Sequence, residues 1–151
     1  MDDVKRMLVE RACERLVAEY CHLVDHGEGA RVAELFTEDG IWASSENTLN
    51  GCQDIRAGFQ RRQDNTGRIS RHVCCNMLIE VLDEDHAEGV VYLTLYRHDG
   101  DPARRTAPAA PPDIVGEYRD KFERTPQGWR FSRRELVASF ARPGAENFAK
   151  S

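Results

Sequence analysis

The chain lacks most of the features that assign a sequence quickly. No apolar run approaches the ~20 residues of a membrane-spanning helix. The N-terminus, Met1-Asp-Asp-Val-Lys-Arg, is charged and leads into an amphipathic pattern, so a signal peptide is not expected. There is no Gly-rich loop between a strand and a helix to hold a nucleotide. There is no Cys-x-x-Cys either, and the five cysteines read as small buried thiols in a reducing, cytoplasmic setting. The net charge of −5 comes from interspersed acids and bases, which leaves no basic face for nucleic acid and no polybasic membrane anchor. His22 and His26 have an i, i+4 spacing that can bind zinc, but no third ligand is evident nearby apart from Asp25. They read as a solvated helix face. Neither a metal nor a cofactor is expected.

What is present fits one α+β domain over residues 1–142, with an irregular tail over 143–151. Val4, Leu8, Ala12, Leu16, Tyr20, Leu23 and Val24 recur at helical spacing, and Gly27 supplies a C-terminal stop. A second, shorter helix fits Gly29 to Phe36. Thr37-Glu-Asp-Gly40 reads as a turn into a short strand, Ile41-Trp-Ala43, and residues 44–51 as a polar loop. A third helix fits Asp54 to Arg62. Ile69 to Leu82 alternates as one strand, with Ser70, His72, Cys74, Asn76 and Leu78 on one face. Ala87 to His98 reads as its return. After a proline-bearing surface loop, Ile114 to Arg124 and Gly128 to Ala141 make a last hairpin. Helices followed by long antiparallel strands predict a strongly curved sheet wrapped round the first helix, with a pocket at its open end.

Two stretches carry the chemistry. Tyr20-Cys-His-Leu-Val-Asp25-His-Gly27 sets a phenol and a carboxylate at the end of the first helix. Ser70-Arg-His72-Val-Cys-Cys-Asn76 is a polar head on an apolar strand. A carboxylate that holds an imidazole in one tautomer makes a general base near neutral pH, so the fold is expected to bring Asp25 to His72. Each residue also has a plain structural role open to it. Asp25 can be a surface residue, His72 a satisfied interior residue and Tyr20 a packing residue, while Trp42, Trp129 and Phe131 fit a core.

Tyr20 and Asp25, Leu35-Phe36-Thr-Glu-Asp-Gly-Ile-Trp42, Arg71-His72, Asn76, Tyr118 and Gly128-Trp-Arg-Phe-Ser-Arg-Arg134 occur in an order that resembles the SnoaL-like branch of the nuclear transport factor 2-like (cystatin-like) superfamily. The likeness runs from about Val4 to Arg142. It implies a cone-shaped barrel with the N-terminal helices packed in a curved, mostly antiparallel sheet. The pocket is most similar to those of three lyases: scytalone dehydratase, bile acid 7α-dehydratase and hexachlorocyclohexane dehydrochlorinase. An Asp at the end of the first helix and a His at the start of the long strand match Asp25 and His72. A Tyr five residues before the Asp, as in the bile acid enzyme, matches Tyr20. The dehydrochlorinase has a Trp at Trp42 and an Arg matching Arg134 or Arg133. The second His of scytalone dehydratase falls at Arg97 or His98.

The resemblance thus implies catalysis by Asp25, His72 and Tyr20. It implies substrate binding by Trp42, Asn76, Tyr118, Arg133, Arg134 and His98. Many superfamily members have lost all catalytic residues, so the fold alone implies no activity. One expectation is a cofactor-independent lyase or isomerase acting on a small, cyclic, largely apolar substrate. Two others remain open: a polyketide cyclase using the same base, and a non-catalytic assembly module like the β subunit of a ring-hydroxylating dioxygenase. A homo-oligomer, dimer or trimer, paired through the outer face of the sheet is also expected.

Overall fold

A computed structural model describes residues 1–145, so the part of the expected tail from residue 146 onward lies outside the described residues. The first helix, α1, spans Asp3–Asp25. Asp2 caps it by accepting from the Lys5 amide at 2.8 Å, and Asp3 complements the positive end of the helix dipole. It closes at His26, and Gly27 takes the left-handed conformation that glycine adopts without strain, φ 78°. The buried stripe is Cys13, Leu16, Val17, Tyr20, Cys21 and Val24. Val4 and Leu8, expected in that stripe, are exposed, and the buried stripe begins only at Cys13.

The segment Gly29–Leu35 is a 3-10 helix. Strand β1, Phe36–Ala43, absorbs the expected turn at Thr37–Gly40. It runs parallel to β6 with a register shift between Phe36 and Ile41, so a sequence that looks like a turn is an irregular piece of strand. The expected polar loop contains a short strand, β2, Thr48–Asn50. Helix α2 spans Cys52–Asp64 and buries Ile55 and Phe59. Four long strands follow: β3 (Arg68–Val81), β4 (His86–Asp99), β5 (Ile114–Thr125) and β6 (Gly128–Ala141). No helix among the described residues is long and apolar enough to cross a membrane.

The six strands form one sheet in the order β2-β1-β6-β5-β4-β3, antiparallel throughout except for the parallel β1–β6 pair. The sheet is open, because β2 and β3 are its two edges, and in that respect it differs from the expected barrel. It nevertheless folds round α1, which packs on both β3 and β6. Helix α2 lies on β1 and β2. Between them lies a core of Tyr20, Val91, Leu93, Tyr118, Phe122 and Phe131, each at most 1 % exposed.

Strand β3 departs from simple alternation at Asn76, whose φ of 48° accompanies a register shift between Cys75 and Leu78. Asparagine tolerates this left-handed conformation better than most residues. The inserted residue reverses the phase of the strand. Before the bulge Ser70, His72 and Cys74 turn inward; after it Met77, Ile79 and Val81 do so, and Leu78 is left 74 % exposed. Asn76 and Leu78 therefore do not share the face of His72.

Candidate active site

The end of α1 meets the head of β3 through one carboxylate. Asp25 Oδ1 lies 2.6 Å from His72 Nδ1 and accepts from Ser70 Oγ at 2.8 Å, while its Oδ2 accepts from the His72 amide at 2.8 Å. Arg62 extends the chain by donating through Nη2 to Ser70 Oγ at 2.9 Å. The side chains of Asp25 and His72 are only 5 % and 11 % exposed. Burial pushes the Asp25 carboxyl upward, but the hydrogen bond and charge of His72, its amide and the Ser70 hydroxyl outweigh burial and hold it below its ordinary value of 3.8. The carboxylate is thus ionised at neutral pH and fixed at both oxygens. In a neutral imidazole a donor at Nδ1 leaves Nε2 as the nitrogen with a lone pair, and His72 lines a cavity of about 90 Å³.

The cavity is lined by residues of α1, α2 and all six strands. Val24, Trp42, Leu49, Phe59, Leu95 and Leu136 supply apolar walls, and Tyr20, Tyr118, Ser70 and His72 supply polar atoms. Tyr20 is 1 % exposed and accepts from Trp42 Nε1 at 3.0 Å, so its own O–H remains a donor. Burial drives its phenol far above the ordinary tyrosine value, against the opposing pull of Arg134 and of the hydrogen bonds from Tyr118 and Trp42. It stays neutral.

Arg134, on β6, lies beneath the two tyrosines and does not line the cavity. It is fully buried, donates to both oxygens of Asp120 at 2.9 and 3.1 Å, and stacks its guanidinium over the rings of Tyr118 (3.7 Å), Tyr20 (4.4 Å) and Phe131 (4.7 Å). Nη1 is the one buried side-chain polar atom among the described residues without a hydrogen-bond partner, and the electron-rich ring faces partly compensate it. Burial raises Asp120 to about 6 despite the opposing charge of Arg134.

The other expected residues divide between cavity and surface. Trp42 and Tyr118 line the cavity. Arg133 alternates to the opposite face of β6 from Arg134 and pairs with Glu135 at 3.0 Å. His98 is absent from the cavity wall, where Arg97 stands instead, because Leu93, Leu95 and Arg97 share the inward phase of β4. Asn76 is exposed at the bulge. His22 and His26 stack on the surface with ring centroids 5.4 Å apart. Among the described residues no group of three or more potential ligands could hold a metal.

Sequence reasoning did not assign a role to Ser70, Arg62 or Asp120. Ser70 was detectable by its place two residues before His72 on an alternating strand. Asp120 was detectable as an acid at an inward position of β5, between Tyr118 and Phe122. Arg62, from a helix distant in sequence, carried no such signal.

The family model described as a SnoaL-like domain matches residues 5–135. No curated protein matches the chain. Among solved structures, a candidate scytalone dehydratase from Novosphingobium aromaticivorans superposes with a TM-score of 0.79 at 20% identity, covering 93% of this chain and 91% of that one. An NTF2-like protein with a cystatin-like fold from the same species gives 0.76 at 23% identity, covering 98% and 92%. Hexachlorocyclohexane dehydrochlorinase LinA-type3 from Novosphingobium barchaimii gives 0.73 at 16% identity, covering 93% of each chain. At these identities the likeness is one of fold.

The buried ion pair generates a stability prediction. Asp120→Ala strands the Arg134 charge in the core and is expected to lower unfolding free energy by about 3–5 kcal/mol in urea titrations. Replacing both partners, Asp120→Leu with Arg134→Met, is expected to cost less than the single change. A double variant at least as unstable as the single one would contradict the reading of Asp120 as compensation for that charge.

Proposed function

The chain belongs to the SnoaL-like domain family, and on that premise we propose that it is a cofactor-independent lyase or isomerase of the dehydratase type. The observation that carries the proposal is the 2.6 Å contact of the Asp25 carboxylate with His72 Nδ1, beside a mostly apolar cavity that His72 lines. In this reading His72 Nε2 takes a proton from a carbon next to a carbonyl of a small cyclic substrate. The C–H electron pair becomes the new carbon–carbon double bond as the bond to the neighbouring hydroxyl breaks, and the hydroxyl leaves as water after receiving a proton. Asp25 keeps the imidazole in one tautomer and stabilises the imidazolium as it forms.

Tyr20 donates to the departing hydroxyl or to the carbonyl oxygen. Arg134 acts through the tyrosines, since its charge lies against their ring faces and favours any negative charge that collects on their oxygens. It is a positioning residue. Polyketide cyclisation by aldol closure begins with the same proton abstraction and would use the same residues. A cytoplasmic setting belongs to the same proposal and rests on the five cysteines in an otherwise ordinary composition.

Self-association through the outer sheet face is a further part of the proposal. That face carries exposed Val73, Tyr92, Tyr96 and Phe140, and Val4, Met7 and Leu8 are exposed on α1. Sedimentation or light scattering is expected to return a dimer or trimer, and Tyr92→Glu with Phe140→Glu to shift it toward monomer. A wild-type monomer at high concentration would contradict this.

The catalytic reading is tested by screening cyclic hydroxy-ketones for turnover by mass spectrometry. His72→Ala is expected to cost about 10²–10⁴-fold in rate, which is the usual contribution of a general base. Asp25→Asn is expected to fall close to it, because the amide favours the wrong tautomer. Tyr20→Phe keeps the packing, loses one donor and is expected to retain more activity than either. A substrate turned over by His72→Ala at the wild-type rate removes proton abstraction by this residue and leaves the binding-module reading.

A further inference from the structure

Two cysteines that the proposed chemistry leaves unused meet beside Asp25 and His72. Cys21 Sγ on α1 lies 3.5 Å from Cys74 Sγ on β3. Cys21 follows Tyr20 and stands one helical turn before Asp25, and Cys74 is two residues beyond His72 on the inward phase of β3. The sulfurs therefore bridge the same two elements that Asp25 joins. A disulfide needs an S–S distance of about 2.05 Å, so the pair has roughly 1.5 Å to close. The β3 ladder is interrupted just past Cys75, where its register shifts, and a strand with an unpaired residue there has room to yield. The other three thiols are placed differently. Cys13 lies in the core, where burial pushes its thiol up to about 12. Cys52 Sγ donates to the Ala33 carbonyl at 3.3 Å. Cys75 is exposed on the opposite face of β3 from Cys74.

The two sulfurs are also unequal. Cys21 is 7 % exposed, while Cys74 is only half-buried. The hydrogen bond from Cys21 is the largest influence on Cys74 and lowers its pKa; burial opposes it and the charge of Arg134 assists. The same bond, followed by burial, pushes Cys21 well above the ordinary thiol value. The pair thus divides into a sulfur that gives up its proton and one that keeps it. That division suits an attacking thiolate with a resolving thiol in contact, the arrangement through which oxidant-sensing cysteines act.

We propose that Cys21 and Cys74 are a reversible oxidation site, which hydrogen peroxide closes to a disulfide that ties α1 to β3 beside Asp25 and His72. The Cys74 thiolate attacks one peroxide oxygen. The O–O bond breaks, and the hydroxide that leaves takes up a proton and becomes water. Cys74 is left as a sulfenic acid. The Cys21 sulfur then attacks the Cys74 sulfur, and the S–S bond forms as the hydroxyl departs with the Cys21 proton as a second water. In all, the two thiols lose two electrons and one peroxide is reduced to two waters. A reducing dithiol reverses the step by thiol–disulfide exchange. In a reducing compartment such a bond is transient, which is the usual form of disulfides there. The site is built on the thiols alone and does not depend on the lyase reading.

The test is peptide mapping by mass spectrometry on the full-length protein carrying Cys75→Ser, which removes the neighbouring thiol from the Cys74 peptide. Hydrogen peroxide is expected to remove two hydrogens from the intact mass and to join the Cys21 and Cys74 peptides, and dithiothreitol to separate them. Cys74→Ser is expected to abolish that product. Cys21→Ser is expected to leave Cys74 as a sulfenic acid that dimedone traps, with Cys21→Ala as the variant to use if a buried hydroxyl impairs folding. Nitrogen-15 signals of the His72 ring are expected to move on oxidation, to return on reduction, and to stay in place under peroxide in Cys74→Ser. Four results each overturn the proposal: both thiols still free after peroxide, a bond to another cysteine in place of this one, Cys74 carried past the sulfenic acid with Cys21 free, or a Cys21–Cys74 bond that leaves the His72 signals in place. Turnover and its loss in His72→Ala are measured on the reduced protein, so the lyase reading stands or falls separately.

Discussion

The contact between Asp25 and the head of β3 is the constraint on which the site depends. A buried carboxylate is costly unless its lone pairs are used. Here one oxygen takes the Ser70 hydroxyl and His72 Nδ1, and the other takes the His72 amide. Because a side chain and a backbone group of the same residue both bind it, the carboxylate fixes where β3 begins relative to the end of α1 as well as how the imidazole turns. The Gly27 stop matters for the same reason, since it ends the helix two residues after Asp25 and keeps that side chain at the helix terminus.

A second buried carboxylate has the opposite role. Asp120 sits deep in the sheet core, forked by Arg134, and that pair stands under the tyrosines that line the cavity. Asp25 is held low by several donors, whereas Asp120 is raised to about 6 by burial with Arg134 opposing the rise. The first lies next to the cavity and can respond to a charge forming on His72. The second is enclosed and sets the field beneath Tyr20 and Tyr118. The buried guanidinium, with one nitrogen satisfied only by ring faces, is tolerated because four aromatic and acidic groups surround it.

Much of this was legible in the chain. Helical spacing and Gly27 placed α1, and alternation placed β3 to β6 to within a residue or two. Asp25 and His72 could be set at the two ends that meet; what they do there is the proposal above. The misses share physical causes. Thr37-Glu-Asp-Gly40 has turn composition, but pairing with β6, nearly a hundred residues away in sequence, makes it strand. One inserted residue at Asn76 reversed the phase of β3, so a pattern that was right before the bulge was wrong after it. The choice between Arg133 and Arg134 depended on a register shift in β6 between Phe131 and Arg133, which reverses the alternation so that Phe131 and Arg134 both face the core, opposite Phe122 and Asp120. The arginines of α2 reach the cavity through tertiary packing alone, and no local pattern announces that.

The central claim is that Asp25 holds His72 as the Nδ1–H tautomer and leaves Nε2 bare toward the cavity. Nitrogen-15 NMR of the histidine side chains at neutral pH tests it most directly, since protonated and bare ring nitrogens resonate far apart. The account predicts that His72 shows a protonated Nδ1 with a slowly exchanging, strongly hydrogen-bonded proton and an unprotonated Nε2, and that Asp25→Asn alters this pattern. A His72 with the proton on Nε2 in the wild-type protein, or a pattern unchanged by Asp25→Asn, would contradict it.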